Sequence, residues 1–356
     1  MSEAIISGLR MHEDQCSTMV EAELKFGGPS HRVWYRVSDS PISDGAETFL
    51  VASLLPAMRR GLALRTSSSV SPKLLQNLPR VQEILHEWDN TLRLVKVAAE
   101  TKISGNPSDG VGCFFSAGVD SFYTVLKHCH RITKLIFLHG FDVPLADTRR
   151  RATAVAGVRR AAAELGKPLI EVETNLREMS NLYVGWEFYH GAALASVALL
   201  LSHQFGEVLI PASHSYADLL PWGSHPLLDP LWGTEAISFV HDGCEVTRFE
   251  KVVHIASHAV ALRHLRVCWQ NLDGKYNCSR CEKCVRTMIS LHIAGALRTC
   301  CTFDEPLELS QVAQIQLRGA SDRSFVLENL RAAEQSGRHP ELVEAMKECL
   351  QRNASR

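Results

Sequence analysis

The sequence predicts an α/β protein: a doubly wound parallel sheet, preceded by a smaller α+β domain and followed by a helical segment. Three observations carry that expectation. Residues 111–211 alternate short apolar runs with runs of helical length, the order of a parallel sheet with crossover helices. Residues 1–105 instead show alternating runs either side of Gly27-Gly28-Pro29, a hairpin signal. The last ~70 residues read as helices ending in a polar tail. At 356 residues two domains are expected, 1–105 and 106–356.

In the first domain, 20–26 and 32–37 alternate like strands, and 49–58 is apolar and helical. Ser71 and Pro72 supply a cap and a first-turn residue for a helix running to about Trp88. Residues 92–97 read as a further strand, and 105–110, with Asn, Pro, Ser and Asp, as a linker. In the second domain the strands are 111–115, 134–138, 168–172 and 207–211. Helices fall between them near 120–130, 149–165 and 187–205.

Composition is ordinary for a globular chain, with 46% hydrophobic and 22% charged residues. A net charge of −1 carries no overall sign of a nucleic-acid or membrane partner. The apolar run 192–201 is too short to span a bilayer, and the stretch around Glu3 lacks the pattern of a secretory signal. A cytoplasmic location is expected. Eleven cysteines in a reducing compartment are thiols or metal ligands rather than disulfides.

The strongest motif is Cys113-Phe-Phe-Ser116-Ala117-Gly118-Val119-Asp120-Ser121. A strand, a tight turn and a helix N-terminus make a phosphate cradle, because backbone N–H groups and the helix dipole favour an anion there. Gly118 lets the main chain approach phosphate closely. Ser116 and Ser121 can donate hydroxyls, and acidic Asp120 is suited to hold Mg²⁺ or to orient the loop. The pattern is not the Walker motif, which needs a lysine after glycine. Ligands of such sheets bind beyond the carboxyl ends of the strands. His139-Gly140-Phe141-Asp142 and Pro211-Ala212-Ser213-His214 fall there too.

The second strong signal is Cys278-Ser-Arg-Cys281-Glu-Lys-Cys284, with Cys268 ten positions earlier. Four thiolates suit a closed, structural Zn²⁺ site. An iron–sulfur cluster uses similar ligands and stays open. A third region, 211–230, is rich in polar and aromatic side chains. There Trp222 can stack on a flat ring, and Ser213, Asp218 or Asp229 can hydrogen-bond it. His214 and His225 lack metal-ligand spacing, Glu187 reads as a solvated helix residue, and Gly191 can admit a ligand near a helix start.

The Ser-x-Gly-x-Asp-Ser stretch resembles the PP-loop of the ATP pyrophosphatases, usually Ser-Gly-Gly-x-Asp-Ser, with Ala117 in place of the first glycine. The resemblance implies ATP with Mg²⁺, its phosphates on Ser116–Ser121 and its adenine near His139 to Asp142, with His139 and Gly140 as its binding residues. It implies adenylylation of a carbonyl oxygen, release of pyrophosphate, and displacement of AMP by a nucleophile. The order of loop and later cysteines over roughly residues 111–290 resembles the 7-cyano-7-deazaguanine synthases, which carry such a zinc site and lack the N-terminal unit. The whole layout is similar to the PP-loop enzymes that convert guanine to 6-thioguanine. That likeness implies sulfur transfer, with Cys113 as candidate nucleophile and Asp120 as a second catalytic residue. Cys113 also reads as a buried, inert thiol. Partners on this reading are ATP and a small heterocycle, with a sulfur-donor protein and a homodimer as further candidates. Amide or nitrile formation with ammonia, tRNA thiolation, and a nucleotide sensor without turnover are the alternatives.

Overall fold

The chain begins with three antiparallel strands, β1 (Glu3–Glu13), β2 (Ser17–Phe26) and β3 (Ser30–Ser38). In this computed structural model the described residues are 3–38, 40–103, 105 and 107–354. Asn106 of the expected linker, and Ser355 and Arg356 of the polar tail, lie outside them. Lys25 pairs with Ser30, so Gly27-Gly28-Pro29 closes the expected hairpin, with Gly27 at φ 74°. Helices α1 (Ala46–Arg60) and α2 (Pro72–Trp88) follow, separated by β4 (Ala63–Thr66). The Ser71 hydroxyl accepts the Leu74 N–H, a cap worth about 1 kcal/mol.

The expected strand 92–97 contributes only Val97 to β5 (Val97–Ala98). Two of its other residues are tied to helices instead: Arg93 N–H donates to the Met58 carbonyl, and Val95 N–H to Gln82 Oε1. Strands β1 and β4 are additions to the expected set. In β1 the alternation is interrupted between Ser7 and Arg10, where the register shifts and Gly8 takes φ 63°.

The second half follows the expected order: β6 (Val111–Phe114), α3 (Val119–Lys127), β7 (Lys134–His139), α4 (Thr148–Glu164), β8 (Leu169–Thr174). Short α5 (Leu176–Ser180) precedes α6 (Trp186–Leu200), β9 (Glu207–Pro211) and β10 (Ser238–Asp242). Six helices finish the chain: α7 (Arg248–Ala256), α8 (Ala259–His264), α9 (Glu282–Ile293), α10 (Leu309–Ala313), α11 (Ala320–Ser336) and α12 (Pro340–Arg352).

Among the described residues the ten strands form one sheet, in the order β10-β9-β6-β7-β8-β3-β2-β1-β4-β5. The first five are parallel. The N-terminal strands join them through an antiparallel seam of Tyr35–Val37 against Val172–Thr174. Strand alternation splits the apolar side chains between two layers. Phe114, Ile136 and Ile210 face α1 and α6, in a core that continues into β1–β3. Cys113, Leu135 and Leu209 face α3, α4 and α7. A third apolar cluster binds α9 to α10–α12.

From β6 the chain adds β7 and β8 on one side, then returns to place β9 and β10 on the other. Strand order therefore reverses between β6 and β9, and their carboxyl ends open a crevice. Among the described residues no helix is long and apolar enough to cross a membrane.

Candidate functional site

The loop between β6 and α3 has a strained turn at its start. Ala117 is fully buried and left-handed at φ 59°, a conformation glycine adopts freely and alanine does not. Its carbonyl accepts the Arg266 N–H at 2.8 Å, so the turn is held from the far side of the crevice. Gly118 caps α3, and its N–H donates to Ser116 Oγ at 3.3 Å. Ser121 Oγ donates to the Gly118 carbonyl at 3.0 Å. First-turn N–H groups of α3 have no intrahelical acceptor and suit an anion.

Asp120 is not an open carboxylate. Arg248 Nη1 lies 2.6 Å from its Oδ2, and Lys251 Nζ 3.7 Å from its Oδ1. Burial would raise its carboxyl, but the Arg248 and Lys251 charges outweigh that and hold it below the usual range. Lys251 is itself fully buried, donates to the Ala212 carbonyl at 2.6 Å, and burial pushes its ammonium down. Two cations on one acid leave a local surplus of positive charge beside Asp120; Arg266 and Lys283 on the cavity wall are accompanied there by Asp142 and Glu187. These residues fit an anion better than a free divalent cation, so Asp120 orients the cations and the loop.

The crevice holds a cavity of about 360 Å³. The Ser116–Ser121 loop and Arg248 line part of it. Aromatic side chains line another part, with Phe141 and Trp186 rings 4.9 Å apart, and Trp222 edge-on to His190 at 5.7 Å. Gly191 brings the second wall in: a Cβ there would sit 1.8 Å from the Gly223 carbonyl oxygen. Backbone of the 221–225 loop, not ligand, fills the space expected for one at Gly191, and Gly223 N–H donates to Glu187 O at 2.7 Å.

Ser116, Gly118, Val119, Asp120, Ser121, Ser213 and Trp222 line the cavity as expected. Others do not. His139 is off the wall: its Nε2 lies 3.1 Å from Glu171 Oε2, in a surface pocket on the β8 side, while Ile136, Phe137 and Leu138 of β7 line the cavity. Gly140 is at φ 92°, and a Cβ there would lie 2.1 Å from the Thr174 carbonyl oxygen, so it serves a chain crossing rather than a ligand. Of the expected stretch His139 to Asp142, Phe141 and Asp142 do line the wall. Asp218 accepts from Ser215 Oγ at 2.8 Å and lies off the cavity. Asp229 is fully buried behind Ser224. Cys113 is fully buried against α3 and α7, off the cavity wall, 3.5 Å from the Phe114 carbonyl oxygen, and burial pushes its thiol well up. His214 stacks on Phe325 at 5.2 Å, and burial pushes its imidazole down to about 4.

Arg248, Lys251, Arg266, Lys283, Trp186 and Ser224 are wall or support residues that sequence reasoning did not assign. No local spacing marks them; they meet only through the reversal of strand order.

Cys268, Cys278, Cys281 and Cys284 form the expected metal group. All are buried, and their sulfurs lie within 4.8 Å of one another. The Cys268–Cys281 and Cys278–Cys284 sulfurs are 3.8 and 3.9 Å apart. A tetrahedron with Zn–S bonds of about 2.3 Å has edges of roughly 3.8 Å, so the cage fits a single ion; a cluster of irons needs a wider one. Ser279 turns left-handed at φ 59° to bring Cys278 and Cys281 together. Asn271 and Cys281 N–H groups donate to Cys268 and Cys278 sulfurs at 3.0 and 3.3 Å. Asn277 Oδ1 accepts from Val267 and Cys268 N–H, which fastens the two ligand segments together. Cys268 also lines the cavity, beside Val267 and Trp269.

No family model matches this chain, and neither a curated protein nor a solved structure does.

Proposed function

We propose that the chain is an ATP-dependent adenylylating enzyme of the PP-loop class, acting on a carbonyl oxygen of a small, flat, purine-like ring. One observation carries this reading: the Ser-x-Gly-x-Asp-Ser loop with its cations, and the aromatic side chains Phe141, Trp186 and Trp222, line one cavity at the strand-order reversal. The triphosphate lies on the loop and α3 N-terminus, near Arg248, Arg266 and Lys283. The ring lies between the aromatic walls. Its carbonyl oxygen bonds to the α-phosphorus, and pyrophosphate leaves with the electrons of the broken P–O bond. A sulfur nucleophile then attacks the activated carbon, and AMP leaves with the C–O electrons. The protein supplies position and preorganised charge. Mg²⁺ enters on the nucleotide phosphates in this reading, and zinc holds the cysteine segment.

A second reading keeps the activation and replaces sulfur by ammonia. It is favoured by Cys113, whose thiol faces the core rather than the cavity. The test is product analysis. Protein supplied with ATP, Mg²⁺, a purine-like lactam and a sulfur or ammonia donor should release AMP and pyrophosphate, and Asp120→Ala should abolish this. Release of ADP and phosphate would overturn the assignment. Nucleotide binding without any turnover would point to a sensor. The product's mass separates sulfur from nitrogen transfer.

A further inference from the structure

We infer that Ser224 reads a hydrogen-bond donor, a ring N–H or amino group, on the edge of the heterocycle held by the aromatic side chains of the cavity. The inference rests on the reading above for the kind of ring, and on a separate set of contacts for the residue. Ser224 lines the cavity between Trp222 and the wall formed by His190. Behind it, out of solvent, stands a carboxylate–imidazole pair that the activation step does not use. Ser224 Oγ lies 2.7 Å from Asp229 Oδ2, and His241 Nδ1 lies 2.7 Å from the same oxygen. Ser224 Oγ and His241 Nδ1 are 3.4 Å apart.

A hydroxyl carries one hydrogen and two lone pairs. Asp229 is fully buried, with the imidazole as its charge partner. Burial alone would lower that imidazole, but the hydrogen bond from His241 to Asp229, and the neighbouring Cys244, offset it and push it up to about 9. The pair is therefore an imidazolium donating to a carboxylate, and the carboxylate can only accept. The hydrogen of Ser224 is committed to Asp229, because His241 Nδ1 is itself a donor. Only lone pairs of Ser224 Oγ remain for the cavity. A ring edge offering N–H finds a partner there, and an edge offering a lone pair meets another lone pair. A lactam, with an N–H beside the carbonyl to be activated, has the right edge.

The test uses the full metal-loaded chain and free bases, without nucleotide. Guanine, 1-methylguanine, 9-methylguanine and hypoxanthine are titrated calorimetrically; each analogue lacks one donor of guanine. Wild type should bind guanine at least about tenfold more tightly than one of the analogues, the factor expected when a built polar partner is left unpaired. Ser224→Ala, with metal content and melting temperature kept, should shrink that ratio to about twofold or less. Ser224→Thr keeps the hydroxyl and should keep the preference. In Asp229→Asn the amide can donate to Ser224, turning its hydrogen towards the cavity, and the preference should fall. A tenfold preference that survives in Ser224→Ala overturns the inference, as does wild type that binds all four bases equally or none. A parallel titration with a non-hydrolysable ATP analogue separates the two readings. Nucleotide binding without base discrimination removes Ser224 alone, and base discrimination without nucleotide binding removes the PP-loop assignment alone.

Discussion

The cysteine knuckle and the cavity meet at Cys268, which belongs to both, yet they are assembled in opposite ways. Three knuckle ligands sit at i, i+3 and i+6, brought together by one left-handed residue, Ser279, and the start of α9. The cavity draws its wall from β6, β7, α6, the loop after β9, α7 and α9. A local site is specified by spacing; an assembled one is specified by the order of strands. The two are coupled by a short physical path. Arg266, two residues before Cys268, donates its N–H to the strained Ala117 of the loop between β6 and α3.

The sharpest break of this comparison is Cys281→Ser. A structural zinc supplies folding free energy of order 10 kcal/mol. The variant should lose its metal and its cooperative unfolding transition, and nucleotide affinity should go with them because the Ala117 turn loses its support. Elemental analysis of the wild type should give about one zinc per chain by the four-thiolate rule. Iron with labile sulfide in that measurement would refute the single-ion cage.

The same contrast explains what was legible in the sequence. The parallel strands and the knuckle rest on periodicity and spacing, and Ser116–Ser121 on a contiguous motif. Their positions needed no tertiary information. His139 was misplaced because a strand's carboxyl end locates a backbone but not where a side chain points; its imidazole turns to Glu171 on β8, while its neighbour Leu138 and the nearby Phe141 and Asp142 line the wall. Gly191 was misread because only the fold shows which backbone packs on it. Arg248 and Lys251 look like ordinary residues of an amphipathic helix until α7 lies across α3 and both reach Asp120. Ser224 gave no signal of its own, since its partner His241 lies on a strand that the alternation did not reveal.

Arg248→Ala should act on the cavity while sparing the knuckle. It strips a buried acid of its closest partner, a loss of about 3–5 kcal/mol where the group cannot reach water. Zinc content should stay at the wild-type level, and affinity for an ATP analogue should fall by about a hundredfold, in line with a lost charge-assisted contact. A variant that binds nucleotide normally would remove α7 from the anion site.

Two buried histidines on opposite flanks of the cavity give stability a pH optimum. His241 is raised to about 9 when folded, so its stabilisation is complete below its unfolded value near 6.5 and is lost as pH rises through 9. His214 is lowered to about 4, so the unfolded chain gains a proton first and stability falls as pH drops from 6.5 towards 4. Each limb is worth about 3 kcal/mol at most. Denaturant titrations across pH should show His241→Gln flattening the alkaline limb only. An unchanged alkaline limb in that variant would exclude the imidazolium–Asp229 pair.

Cys113→Ser tests which region handles sulfur. With its side chain in the core, the added hydroxyl costs of order 1–3 kcal/mol through an unsatisfied donor. The melting temperature should drop, and product per folded molecule should survive. Loss of thiolated product at unchanged melting temperature would bring Cys113 back into the mechanism.

The smallest expected effect is the most specific to the coupling between the two regions. Ala117 holds φ 59°, which costs an alanine about 1 kcal/mol, and its carbonyl is tied to Arg266. Ala117→Gly removes that cost and adds a comparable one by freeing the unfolded chain, so stability should change by less than about 1 kcal/mol. The informative readout is therefore exchange rather than melting. While the knuckle is intact, the Arg266 amide should exchange equally slowly in both proteins, because the knuckle holds the segment and the loop only accepts from it. After partial zinc removal by a chelator, the alanine loop should relax out of its left-handed turn, while the glycine loop has no reason to leave it. The Arg266 amide should then exchange faster in wild type than in Ala117→Gly. Equal acceleration in both would mean that the turn is held by the core around Ala117, and that knuckle and cavity share a residue without sharing a mechanical link.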